Sequence, residues 1–308
     1  MSMETSRTLD RRDFLRLAAG TAVAASVSAT LGARATGAAR RPRGQVPLDK
    51  IGIQLYMVRD QMARDFEGTL AAIAGIGYAT VEFAGLFGRT PEQVRATIDG
   101  LGLKAVSSHD GVDQMNSNPE EVFGRAVTLG QRQVVHPFFQ SPSLDDYRQM
   151  AEDLNTAGAT ASGYGLRVGY HNHAQEFEII DGTFPMAVLI EETAPDLVDI
   201  QLDLYWAMEG LHTHSNPEAH PLELFDRAPG RFTSFHVKDG FPKEPGVRFA
   251  DVGEGAINFR PIFAASRRSG VTDYFVERDD AASDPEGSLG SAEDSYDNLV
   301  ARYGAGSA

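Results

Sequence analysis

From about residue 50 onward, the chain alternates short runs of β-forming residues with longer stretches that have helical periodicity. The alternation occurs eight times. Repeated strand–helix units predict parallel strands that are joined by right-handed crossovers. The predicted strands are Ile51–Tyr56, Thr80–Phe83, Lys104–Ser108, Gln133–Pro137, Leu166–His171, Val198–Leu204, Phe232–Val237 and Asp273–Glu277.

Eight such units can close into a barrel or form an open, doubly wound sheet. An open sheet that binds a dinucleotide would carry G-x-G-x-x-G after its first strand, and this sequence has no such motif there. Residues 45–308 have the usual length of one α/β barrel. We therefore predict an α/β fold in which residues 45–308 form a single (β/α)8 TIM barrel.

Residues 1–44 are predicted to be a twin-arginine-type signal peptide with its linker. Arg11-Arg12 precedes a mildly apolar, uncharged run over residues 17–32, and a small-residue stretch suited to cleavage follows it. The run is too short and too weakly apolar for a stable membrane anchor. The alternative is a disordered basic tail. We expect an exported protein, periplasmic or extracellular.

Composition limits the partners and the kinds of site. The formal net charge of −15 argues against nucleic acid as a partner. The chain has no cysteine, which excludes disulfides and thiolate metal sites. Oligomerisation remains open.

Polar residues gather where the predicted strands end, which is where barrel enzymes hold their catalytic groups. Five of the eight histidines lie there. Strand periodicity points several of these side chains to the barrel interior. A set of His, Asp and Glu donors suits Mn, Co, Fe or Zn better than Ca. The strand-end residues are Gln54, Glu82, His109, His136, His171, His173, Asp203, His236, Lys238 and Glu277.

Each of these residues also has a purely structural interpretation. His136 precedes a proline and could simply pack. Trp206, just after Asp203, could line a sugar site or belong to the core. Lys238 could stabilise a developing enolate, or it could form a salt bridge to Asp239 or Glu277. The loop histidines His212, His214 and His220 could reach the end of the barrel where the site lies, or they could simply be solvated.

Four motifs together resemble the xylose-isomerase-like barrel superfamily, in particular its sugar phosphate isomerase/epimerase branch. They are Tyr170-His171-Asn172-His173 with Glu176-Phe177, Leu202-Asp203-Leu204-Tyr205-Trp206, Phe235-His236-Val237-Lys238-Asp239 and Phe275-Val276-Glu277. The resemblance implies one divalent ion, manganese before cobalt, iron or zinc, held by His171, Asp203, His236 and Glu277. It also implies a small carbohydrate substrate.

The implied reaction is sugar isomerisation or epimerisation, which begins by abstraction of a proton next to a metal-bound sugar carbonyl. Candidate catalytic residues are Glu277, His173, Lys238 and Glu176. Candidate substrate-binding residues are Glu82, His109, Trp206 and Gln54. Glu82 is also the substitute ligand if one of the four fails.

One position departs from the family pattern. Ketose 3-epimerases of this superfamily generally carry glutamate where His171 stands, so that two carboxylates face each other across the substrate. The departure leaves two alternatives open. One is a 3-ketoglycoside lyase or hydrolase of the same fold, and the other is an exported sugar-binding protein without catalysis. A metal-dependent nuclease is disfavoured by the acidic charge.

Overall fold

The computed structural model describes residues 44–242 and 246–305. Eight parallel strands close a barrel in which each strand pairs with its neighbours in the chain and the first pairs with the last. This confirms the predicted fold class, and all eight predicted strands are present. Their bounds are β1 Ile51–Gln54, β2 Thr80–Phe83, β3 Lys104–His109, β4 Gln133–His136, β5 Arg167–His171, β6 Val198–Asp203, β7 Phe232–Val237 and β10 Asp273–Val276.

Helices surround the barrel in the described part of the chain. They are α1 Arg59–Met62, α2 Phe66–Ile76, α3 Pro91–Leu101, α4 Val112–Ser117, α5 Pro119–Leu129, α6 Leu144–Ser162, α7 Pro185–Glu192, α8 Leu204–Thr213, α9 Pro221–Arg227, α10 Phe259–Ala264, α11 Ser266–Ser269 and α12 Gly287–Tyr303. None of the helices in residues 44–242 and 246–305 has the length and apolarity needed to cross a membrane. The predicted signal peptide lies, up to residue 43, outside the described residues.

Local signals in the sequence fix several helix ends. Thr90 caps α3 in a complete capping box with Gln93, and Pro91 occupies the first helical position. Gly102 and Gly130 end α3 and α5 in the left-handed conformation, with φ of 74° at both. Glycine adopts this conformation without the steric cost that a Cβ would add. These stops return the chain to the start of the next strand.

Strand register decides which inward side chains lie at the same level of the barrel. Asp203 of β6 pairs with His236 of β7, and His171 of β5 pairs with Gln201 of β6. On the other side of the barrel, Gln54 of β1 pairs with Glu82 of β2. The polar interior residues are therefore stacked in adjacent layers at the C-terminal ends of the strands, which we call the mouth.

A short hairpin follows β7 and covers one side of the mouth. Its strands, β8 (Asp239–Gly240) and β9 (Phe249–Ala250), pair antiparallel. The Asp239 carboxylate accepts backbone N–H groups from Gly240, Gly253, Gly255 and Ile257 at 2.8–3.2 Å. Asp239 is thus an anchor for this loop.

Candidate metal centre

Three candidate ligands converge at the mouth. Nδ1 of His236 lies 2.8 Å from Oε2 of Glu277 and 3.9 Å from Oδ2 of Asp203. One ligand atom from each of these buried residues lies within 4.8 Å of the other two. We call Asp203, His236 and Glu277 the metal trio. Two carboxylates and an imidazole at this spacing form a donor set suited to a divalent transition ion.

The strand-to-helix junction sets the direction of Asp203. This residue ends β6 and is the N-cap of α8, where its Oδ1 accepts the Trp206 backbone N–H at 2.9 Å. Its Oδ2 is buried and has no hydrogen bond within the described residues, although the ammonium of Lys238 lies 3.0 Å away. We interpret that contact as an ion pair without hydrogen-bond geometry. Oδ2 of Asp203 therefore lies beside His236 without a hydrogen-bond donor of its own in the described structure.

His171 belongs to a second, adjoining group with His109 and His236. Its ring centroid lies 4.4 Å from that of His236 and 5.2 Å from that of His109. Nδ1 of His171 is buried and finds no hydrogen-bond partner in the described structure. Such a nitrogen is costly to bury unless something binds it, and a cation is one such partner. The four predicted ligands thus lie close together, with His171 on the side of the imidazoles.

Burial and neighbouring charges set the protonation of these rings. Desolvation lowers the pKa of His171 well below its usual range, and the charge of His236 adds to this. Desolvation, together with the positive charge of Lys238, lowers the pKa of His173 to about 3. Burial would also lower the pKa of His236, but Glu277 and Glu82 outweigh it and raise the value to about 10. His171 and His173 are therefore neutral at physiological pH.

Lys238 lies within the same cluster of carboxylates. Its ammonium is 3.0 Å from Asp203, 2.9 Å from Glu277 and 2.9 Å from Asp279, and its side chain is almost fully buried. Burial would raise the pKa of Glu277, but Lys238 and His236 hold it well below its usual range. The ion pair with Glu277 that the sequence suggested is present, whereas Asp239 anchors the hairpin loop instead.

Glu82 lies next to the imidazoles of His109 and His236. Its carboxylate accepts hydrogen bonds from Gln54 (2.8 Å), Ser107 (2.5 Å) and Gln201 (2.7 Å), and it lies 2.7 Å from Nε2 of His236. Nε2 of His109 is 3.2 Å away. Glu82 and Gln54 are fully buried. Their role in substrate binding stays a prediction, and in this structure protein groups contact both carboxylate oxygens.

Aromatic rings form one wall of the mouth. His173 lies against Trp206 and Phe138, with ring centroids 5.4 Å and 5.0 Å apart, and Trp206 packs edge-on against Phe249. Within the described residues, Nε1 of Trp206 has no hydrogen-bond partner. The wall therefore consists of apolar ring faces and includes a buried N–H group without a partner in the described part of the chain. The role of Trp206 in sugar binding stays a prediction. Phe249 comes from the hairpin, and no local signal in the sequence pointed to it.

Glu176, predicted to be catalytic, lies apart from this cluster. Its Oε1 accepts the Tyr170 hydroxyl at 2.7 Å, and its Oε2 accepts the His173 backbone N–H at 2.8 Å. Burial raises the pKa of Glu176 to about 7. Both oxygens therefore accept hydrogen bonds at the turn after β5, where Glu176 holds the backbone of His173. Its catalytic role stays a prediction.

Two further polar residues lie at strand ends: His136 ends β4, and Asp279 follows β10. Nδ1 of His136 accepts the Val112 backbone N–H at 3.0 Å, which supports the packing interpretation. Asp279 was not singled out as a site residue, yet it contacts Lys238. Its position in the run Glu277-Arg278-Asp279, directly after the eighth strand, was the available signal.

Comparison with known proteins identifies a protein family that matches most of this chain. A protein-family model described as a xylose isomerase-like TIM barrel matches residues 70–294. An inosose dehydratase of Clostridium perfringens is 27% identical over 176 residues, which make up 50% of this chain and 56% of the relative. The chain spans about half the length of the curated relatives it matches.

Two solved structures share the fold. A sugar phosphate isomerase/epimerase from Parabacteroides distasonis aligns with a TM-score of 0.71 and 23% identity, covering 85% of this chain and 96% of that one. An IolI protein with a bound zinc atom aligns with a TM-score of 0.64 and 15% identity, covering 82% and 99%. At these identities the likeness concerns the fold.

Proposed function

Because this chain belongs to the xylose isomerase-like TIM-barrel family, we propose that it is a divalent-metal-dependent enzyme that modifies a sugar. In the proposed reaction a proton leaves the carbon next to a sugar carbonyl, as in isomerisation or epimerisation. The single observation that carries the proposal is the metal trio of Asp203, His236 and Glu277, buried together at the mouth.

The residues fit a divalent ion in two respects. Oδ2 of Asp203 and Nδ1 of His171 are buried acceptors that lack hydrogen-bond partners among the described residues. The donors are nitrogen and oxygen, which suits manganese, cobalt, iron or zinc, and the solved IolI structure contains zinc. We propose that Asp203, His236, Glu277 and His171 hold the ion. When bound, it would polarise the sugar carbonyl and so acidify the neighbouring C–H bond.

Two groups of the chain are available to take the proton. Glu277 is ionised and His173 is neutral at physiological pH, so both are in the acceptor form. Lys238 and His236 engage the Glu277 carboxylate, whereas the described residues leave Nδ1 of His173 without a partner. The geometry therefore favours His173 as the base and leaves Glu277 to the ion. Trp206 beside His173 would hold the sugar ring against it.

Elimination is the second candidate reaction, and two observations favour it. The candidate ligand at the end of β5 is the neutral imidazole of His171, so the site lacks a facing pair of carboxylates at that point. The curated relatives are also named dehydratases. Loss of the proton next to a carbonyl would then be followed by departure of a leaving group, as in the cleavage of a 3-ketoglycoside.

Isotope exchange in deuterated water tests the proposal. The manganese-loaded protein would be incubated with candidate ketoses and 3-ketoglycosides, and the products analysed by mass spectrometry. We expect deuterium at the carbon next to the carbonyl, and its loss in His173→Asn while the metal remains bound. An epimer or isomer indicates the first reaction, and an unsaturated sugar indicates elimination. Metal binding without exchange for any substrate would favour a sugar-binding protein.

We also propose that the protein is exported. The paired arginines Arg11-Arg12 and the apolar run over residues 17–32 support a twin-arginine route, which carries folded proteins. We propose that the barrel folds and acquires its ion before it crosses the membrane. A sugar without phosphate is then the expected substrate, because phosphorylated sugars are chiefly cytoplasmic.

A further inference from the structure

The ammonium of Lys238 occupies the place where the proposed ion would find two of its ligands. We infer that Lys238 and a divalent ion compete for the same oxygens of Asp203 and Glu277, and that Asp279 retains Lys238 when the ion is bound. This inference rests on the metal site of the proposed function. It makes Lys238 a built-in counter-ion of the metal-free protein and Asp279 a positioning residue.

Lys238 and the proposed ion would use the same two carboxylate oxygens. Nζ of Lys238 lies 3.0 Å from Oδ2 of Asp203 and 2.9 Å from Oε2 of Glu277. The same two oxygens face Nδ1 of His236, at 3.9 Å and 2.8 Å. An ion bound by the metal trio would therefore draw on atoms that already neutralise the charge of Lys238.

The two buried carboxylates need a compensating positive charge. Asp203 is fully buried and Glu277 nearly so, and two uncompensated carboxylates in such a place would strongly disfavour folding. Lys238 provides the compensating charge without any ion. If a divalent ion bound these oxygens, the ammonium would lose two partners and would experience repulsion from a like charge at short range.

Asp279 is the third carboxylate that contacts Lys238. It lies 2.9 Å from Nζ of Lys238, lies outside the metal trio, and its side chain is 28% exposed at the rim. The rings of Trp206 and Phe249 also lie 5.6 Å and 5.7 Å from Nζ, within the range of cation–π attraction. Lys238 would therefore keep one carboxylate and two aromatic faces if an ion displaced it from the other two carboxylates.

Calorimetric titration of the metal-free full-length protein with manganese tests the competition. Lys238→Met removes the competitor, so its affinity for manganese should rise about tenfold or more. Asp279→Asn removes the alternative partner of Lys238, so its affinity should fall several-fold. Lys104→Met is the matched control, because it removes the same charge at an exposed residue at the start of β3. Its affinity should equal that of the wild type.

Thermal unfolding provides a readout independent of affinity. Metal-free Lys238→Met should melt at a lower temperature than the wild type, and manganese should raise its melting temperature by a larger interval. If Lys238→Met does not fold, Asp279→Asn still decides the question, because its change lies at the rim. Unchanged or tighter binding in Asp279→Asn, or unchanged or weaker binding in folded Lys238→Met, overturns the inference. If the wild type binds no ion, the proposed metal site itself fails.

Discussion

The carboxylate of Glu82 lies directly behind the imidazole of His236, with Oε1 2.7 Å from Nε2. The other ring nitrogen, Nδ1, thereby faces Glu277 and Asp203. A carboxylate on the far nitrogen of a metal-binding histidine fixes the ring orientation and increases the basicity of the ligating nitrogen. Glu82 is therefore a positioning residue in our interpretation, because it contacts His236, one of the candidate ligands.

We predict that Glu82→Gln weakens manganese binding by roughly 10–100-fold, because the variant cannot hold His236 by charge. Titration calorimetry on the metal-free protein measures this. Ser107→Ala is the matched control: it removes one hydrogen bond from Glu82 without touching His236. If folded Glu82→Gln binds manganese as tightly as the wild type, Glu82 does not position the ligand.

The purified wild type should contain about one divalent ion per chain, and Asp203→Ala and His236→Ala should lose it. Each variant removes one donor from a small set and leaves the ion incompletely coordinated. Elemental analysis after gel filtration measures the ion content. Asp294→Ala, an exposed change on α12, should retain the ion. Full occupancy in both ligand variants would contradict the assignment.

Trp206 is the single tryptophan of the chain, so intrinsic fluorescence reports directly on the mouth. We expect a bound sugar to change its emission, because its ring lies beside His173 and Phe249. Trp206→Phe keeps an aromatic face but removes the unused N–H donor, and it should weaken sugar binding up to about tenfold. Trp206→Ala should weaken it further. Equal affinities for all three proteins, measured by calorimetry, would place the sugar elsewhere.

Glu176 should make stability depend on pH. Burial raises its pKa from the ordinary value of 4.5 to about 7 in the folded state. Between these two values the folded chain retains a proton that the unfolded chain has lost, so the stability decreases as pH rises from about 4.5 to about 7. Relative to Glu176→Gln, the wild type should lose up to roughly 3 kcal/mol over this window. Denaturant unfolding at several pH values checks this, and a constant difference would refute it.

Export gives a prediction outside the barrel. Replacing Arg11 and Arg12 by lysine keeps the charge but should trap the precursor inside the cell, because the twin-arginine route depends on the paired arginines. Arg7→Lys, which lies outside the pair, should leave secretion unchanged. Cell fractionation and immunoblotting measure the distribution. Normal secretion of the double variant would point to transport of an unfolded chain that acquires its ion outside.

The barrel itself was predictable from the sequence, because alternating strand and helix patterns, helix caps such as Thr90, and stop glycines are local signals. The convergence of the candidate ligands was predictable for the same reason. Polar residues at the ends of parallel strands must meet at one face of a closed barrel. Asp203, His236 and Glu277 were found in this way, and the structure brings them together.

The role of each side chain was decided by tertiary structure. Glu82 and His236 are 154 residues apart in the chain, and Asp203 and Lys238 meet across neighbouring strands. Glu176 lies near the site in sequence but bonds to Tyr170 and to the turn after β5. Sequence periodicity tells which face of a strand a residue occupies. Strand register and the closure of the barrel determine which distant group that residue meets, because they set the level of each side chain inside it.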